Sequence, residues 1–156
     1  MFSVGDGHGA KGDGEVCVTA IETGLVGSFE LTVRDDLSLE WPRAETPTHV
    51  MTMAFDPDLD DCVVMALRLM VDLVARDAGI NRQEAYMLCS LAADLRITQV
   101  VNGSKGVARN AGEAVPRASK HSATLLIASG AATSFRLKQL FQVSQVLCDC
   151  LCVLCV

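Results

Sequence analysis

The sequence predicts an α+β fold, mainly antiparallel β-strands with a helical hairpin. Three observations carry that expectation. Ser28 to Arg34 alternates apolar and polar residues, residues 56–92 hold two amphipathic stretches with their own start and stop signals, and β-branched residues return from Leu95 to Val101. Strands, then a helix pair, then a strand is not the regular alternation that builds a parallel sheet.

The elements follow in order. Residues 3–15 hold five glycines and read as a loop. Val16 to Thr23 is rich in β-formers. Phe29, Leu31 and Val33 share one face of the next strand, and Asp35-Asp36 ends it. Trp41 to Pro47 reads as extended or irregular, because its two prolines disfavour a regular ladder. His49 to Phe55 is apolar on both faces, as in a buried strand. Asp56 is expected to cap a helix, with Pro57 at its first position and Asp58, Asp60 and Asp61 on the positive end of its dipole. Leu59, Val63, Ala66, Met70, Leu73 and Val74 form its stripe, and Gly79 is placed to end it. Asn81 and Glu84 have capping-box spacing for a second helix, whose apolar face is Ala85, Leu88, Cys89 and Ala92. After the strand to Val101, Asn102-Gly103 is a turn signal. Beyond Gly106 the pattern fades: Ala108 to Ser122 has no period, and Ala123 to Ala132 is apolar but short.

At 156 residues and 50% hydrophobic, the chain suffices for one domain with a core. Its net charge of −6 argues against nucleic acid as a partner. No apolar run approaches the roughly 20 residues that cross a bilayer, so no membrane is expected. The glycine-rich start lacks the character of a signal peptide, which points to a reducing, cytoplasmic setting with free thiols. The charge is uneven. Residues 1–107 carry 8 Lys+Arg against 17 Asp+Glu, whereas residues 108–156 carry 5 against 2. That reversal divides the chain into a main region, 1–107, and a tail of different origin, 108–156.

Asp6, His8, Asp13 and Glu15 lie within ten residues on the glycine framework. Carboxylate and imidazole are ligands for zinc or a similar divalent ion, which can polarise a carbonyl and activate water. Asp6 and His8 are the expected metal ligands. Asp13 and Glu15 are candidates for acid/base work or further ligation. The same Asp-Gly pairs are also ordinary turn chemistry. His49 could complete such a site or cap a sheet edge, and Glu45 could orient a substrate. Cys17, set in an expected strand without a local base, reads as an inert thiol and not a nucleophile. The acidic run at 56–61 lacks the glycine and distal glutamate of a calcium loop. The terminal Cys148, Cys150, Cys152 and Cys155 do not have a usual zinc spacing.

Three segments resemble the acetamidase/formamidase family. They are Gly5-Asp6-Gly7-His8 with Gly12-Asp13-Gly14-Glu15 and Thr19-Ala20-Ile21-Glu22; Trp41-Pro42-Arg43-Ala44-Glu45-Thr46-Pro47-Thr48-His49; and Ala85-Tyr86 through Cys89-Ser90-Leu91-Ala92 to Thr98-Gln99-Val100-Val101-Asn102-Gly103 and Lys105-Gly106-Val107. The order is the family's, and the match ends near residue 107. Val18 stands where the family usually has glycine, Lys11 where it often has glutamine, and Ala108 where it has histidine. The resemblance implies hydrolysis of short linear amides, formamide or acetamide, to ammonia and a carboxylate. It further implies a β-rich fold, a bound divalent metal and self-association as a homo-oligomer. Family members are longer, so the fold is expected to be incomplete here. The alternative is a catalytically inactive fragment serving as an assembly module.

Overall fold

A computed structural model describes residues 7–24, 26, 29–112, 124–127 and 133–137. The fold is α+β, and every strand pair in it is antiparallel. In chain order the elements are β1 (Gly7–Ala10), β2 (Ile21–Thr23), β3 (Phe29–Val33), β4 (Arg43–Glu45), β5 (Val50–Asp56), α1 (Leu59–Ala78), α2 (Arg82–Ala92), β6 (Ala93–Gln99), β7 (Lys105–Ala111), β8 (Thr124–Ile127) and β9 (Thr133–Leu137). β1 and β2 form a two-stranded ribbon. The others form one seven-stranded sheet in the order β3-β9-β8-β4-β5-β7-β6.

The helices lie where the sequence places them, with one correction. The first helix is capped by Asp58, not Asp56. Asp56 is still paired with Lys105 in the sheet, so it cannot be the first non-helical residue of a helix. Its carboxylate accepts instead from the Asp58 amide at 2.8 Å, and the Asp58 carboxylate accepts from the Asp60 amide at 2.8 Å. Gly79 ends α1 at φ 66°, a left-handed position that a side chain would strain. The Asn81–Glu84 capping box forms as expected. Ala93 then leaves the helix in extended geometry, so α2 runs into β6 without a loop, two residues before the expected strand start.

The core lies between the helix pair and the middle of the sheet. Met70, Val71, Leu73 and Val74 of α1 pack with Ala85 and Cys89 of α2 against Val50 and Ala111. Ala54, Cys62, Ala66 and Val107 form a second cluster near the start of α1. Each large side chain so enclosed stabilises the fold by about 1.5–3 kcal/mol. Thr52 is buried among them because its hydroxyl donates to the Ala66 carbonyl at 2.9 Å.

Four segments depart from expectation. The glycine-rich start contains β1, which gains a ladder from β2 despite its glycines and carries a bulge between His8 and Ala10. Arg43 to Glu45 lies between the two prolines and keeps its own amides, so it pairs on both sides, with β5 and β8. Of Val16 to Thr23, only the last three residues are strand. Val16, Cys17 and Val18 are exposed in a turn. Downstream, β7 straddles residue 107 as an inner strand between β5 and β6. Its small residues, Gly106, Ala108 and Ala111, carry little periodic signal. The strand runs on because both neighbours supply partners. Most of 108–156, including the cysteine cluster, lies outside the described residues.

Val18 has φ 62°, a conformation that a β-branched residue adopts at a cost of about 1–2 kcal/mol. Its side chain is exposed and offsets none of that. Val18→Gly is expected to raise stability by about 1 kcal/mol after the added chain entropy of glycine, measured by urea unfolding. A loss of stability would mean that the side chain contributes more than it strains.

Candidate functional site

The glycine loop is anchored at one end of β6. The Gly14 amide donates to the Ile97 carbonyl at 2.7 Å, and the Val100 amide donates to the Gly14 carbonyl at 2.9 Å. These two bonds continue the sheet's pattern onto the loop. Lys11, noted above only as a family departure, is buried here. Its ammonium donates to the Thr98 carbonyl at 2.8 Å and stands 3.8 Å from the Glu15 carboxylate. Only 9% of the Glu15 side chain is exposed, so a matched cation is what permits its burial. Asp13 is 45% exposed and faces Arg96 at 3.4 Å. Glu15 also sits at a positive φ of 37°. The loop therefore presents one open carboxylate and one enclosed carboxylate, each beside a basic side chain.

His8 is half-buried on β1, opposite Glu22 of β2. Asp6 lies outside the described residues. Glu45 and His49 are elsewhere, on the β4–β5 hairpin. Glu45 pairs with Arg43 at 2.9 Å, and His49 Nδ1 lies 2.8 Å from the Thr48 hydroxyl. Val50 is level with Ala111 and Ala93, whereas the loop docks at Ile97 to Val100. At about 3.4 Å per residue, that offset is roughly 15 Å along the strands. Asp13 and Glu15 are thus brought together, and Glu45 and His49 are brought together at a distance from them.

No family model and no curated protein matches the chain. Solved structures do. An acetamidase from Bacillus halodurans shares 29% identity at a TM-score of 0.58, over 67% of this chain and 36% of that one. An acetamidase from Yersinia enterocolitica shares 26% identity at a TM-score of 0.59, over 69% of this chain and 32% of that one. This chain is a partial acetamidase-like fold. It spans about a third of the length of those acetamidases.

Among the described residues, no group of three or more His, Cys, Asp or Glu side chains could hold an ion. Asp13 and Glu15 face Arg96 and Lys11 instead. The thiols of Cys62 and Cys89 are buried, and burial pushes both up from the ordinary cysteine value. Cys62 also donates to the Asp56 and Lys105 carbonyls at 3.5 and 3.4 Å. Both are structural thiols. Cys17 is free and exposed in a turn, where a buried strand position was expected. Among the described residues, no helix is long and apolar enough to cross a membrane.

The sequence reading missed Lys11 and Arg96. A signal was present: a lysine four residues before Glu15 in an otherwise acidic glycine loop. Its meaning depends on β6, more than 80 residues away, which the loop contacts only in the folded chain.

Proposed function

We propose that this chain is part of a hydrolase of short linear amides, of the formamide and acetamide type, releasing ammonia and a carboxylate. The observation that carries the reading is the likeness to two acetamidase structures at 29% and 26% identity. Of the two loop carboxylates, Asp13 is the one that solvent reaches, so we assign it the proton transfer from water to the departing ammonia. Glu15 positions the loop through Lys11. Glu45 and His49 stand roughly 15 Å away along the strands, so their expected substrate contact would be made to a short amide held at Asp13 of a second copy of the chain. A divalent metal such as zinc belongs to the proposal as a requirement to be measured, with Asp6 and His8 as its candidate donors. Homo-oligomerisation and a cytoplasmic location complete it, the latter supported by free Cys17, Cys62 and Cys89.

The test is ammonia release from formamide, acetamide and propionamide by the full chain, with and without zinc, alongside its bound-metal content. Turnover should fall at least about 100-fold in Asp13→Asn, while the fold survives because Asp13 is exposed. A folded, zinc-treated chain that releases no ammonia would overturn catalysis by this chain. That result would favour the second reading, a non-catalytic assembly module. The exposed Tyr86, Met87, Leu91 and Leu95 on α2 and β6 support that reading.

A further inference from the structure

A cavity of about 270 Å³ lies between α1, the β4–β5 pair and the segment before β4. Its apolar wall is Leu39, Trp41, Leu69 and Leu73, and its basic residues are Arg43 and Arg76. We propose that this cavity binds a small organic carboxylate with an apolar body, its charge read by the guanidiniums of Arg43 and Arg76. The site is separate from the glycine loop and does not rest on the amidase reading.

Arg43 carries the argument. Only 11% of its side chain is exposed, and it spends one terminal nitrogen on Glu45 at 2.9 Å. Its Nε is buried without a hydrogen-bond partner. A guanidinium has five N–H donors in a planar fork, and a buried donor left unmade costs about 1–3 kcal/mol. A planar carboxylate is the acceptor that fits such a fork. Arg76 spends its Nε on Asp77 at 2.7 Å and keeps its terminal nitrogens. Burial disfavours the charged form of Arg43, the Glu45 carboxylate beside it acts in the opposite direction, and the like charge of Arg76 adds to the effect of burial; a bound anion would offset that repulsion. Two carboxylates also line the cavity. Asp72 is matched by an ion pair with Arg82, which leaves Glu40, exposed on the rim, as the opposing charge. The apolar wall and the small volume select a short aliphatic or similarly compact acid over a large anion.

Trp41 is the single tryptophan of the chain and forms part of this wall, 6.0 Å from the Phe55 ring. Its fluorescence therefore reports on the cavity directly. The full chain is titrated with butyrate and isovalerate at constant ionic strength, with butyramide, sodium chloride and inorganic phosphate as comparisons. The acids should give a saturable change with half-saturation at about 1 mM or below, and butyramide and chloride none. Arg43→Gln should abolish it, Arg76→Gln should weaken it about tenfold, and Glu40→Gln should tighten it. Should Arg43→Gln fail to fold, the exposed Arg76 and Glu40 variants decide. An unsaturable response, an equal response to butyramide or chloride, or Arg76→Gln binding unchanged would overturn the proposal. Binding of phosphate in place of the acids would overturn the assignment to carboxylates. None of these readouts depends on amide turnover.

Discussion

Gly106→Ala is expected to destabilise the fold by about 3 kcal/mol or more, at the upper end of overpacking substitutions. Gly106 is the point where three strands crowd. It pairs with Phe55 on one side and Gln99 on the other, beside a register shift in β6 between Ile97 and Gln99. A Cβ added there would collide with the Thr98 hydroxyl and meet the Phe55 ring at 2.8 Å. Neither neighbour can give way cheaply. Thr98 is 1% exposed, and its hydroxyl donates to Gln99 Oε1 at 3.2 Å. Phe55 packs against Trp41. Urea unfolding with far-UV circular dichroism measures the loss. Thr98→Ala should recover part of it, since one of the two clashes is thereby removed, and the double-mutant cycle isolates that share. A loss below about 1 kcal/mol would mean that β6 and β7 can separate locally, contrary to the close packing described.

Lys11→Met ranks second, with an expected loss of about 3 kcal/mol. The substitution keeps the length of the stem but removes the ammonium. The Thr98 carbonyl then loses its 2.8 Å donor, and the enclosed Glu15 carboxylate loses the cation beside it. Removing a cation beside a buried carboxylate costs more than the pair contributes, so Lys11→Met/Glu15→Gln should be more stable than Lys11→Met alone. The loss should appear first as increased amide exchange at Gly14 and Val100, whose bonds fix the loop on β6. Equal exchange in the variant and the parent would show that backbone bonds alone hold the loop.

Local signals made the helical hairpin legible. Asn81 with Glu84, Gly79 at the end of α1, and the stripe through Ala66, Met70 and Val74 each depend on residues within a turn or two of one another. The buried strand at Val50 was legible for a similar reason, since only a covered strand tolerates apolar residues on both faces. Arg43 to Glu45 was not, because the flanking prolines mark the whole segment as irregular, while the three residues between them keep the amides that pair with β5 and β8. β7 was hidden by its small side chains, which reflect crowding and not periodicity. In the candidate site, Asp13 and Glu15 were legible as acidic residues on a loop. Their partners Lys11 and Arg96 become visible only once β6 lies under that loop.

The strand order carries a consequence for synthesis. Among the described residues, β3 reaches the sheet through β9, and β4 has β8 on its outer side. Phe29 waits for Leu137, roughly a hundred residues later in the chain. By contrast β5, the helix pair, β6 and β7 are contiguous in sequence and contact one another directly. During translation this central block can close early, while β3 leaves the ribosome with no neighbour to pair with. For that interval its unpaired edge is open to other nascent copies, so chaperone demand and aggregation should track the delay before residues 124–137 emerge.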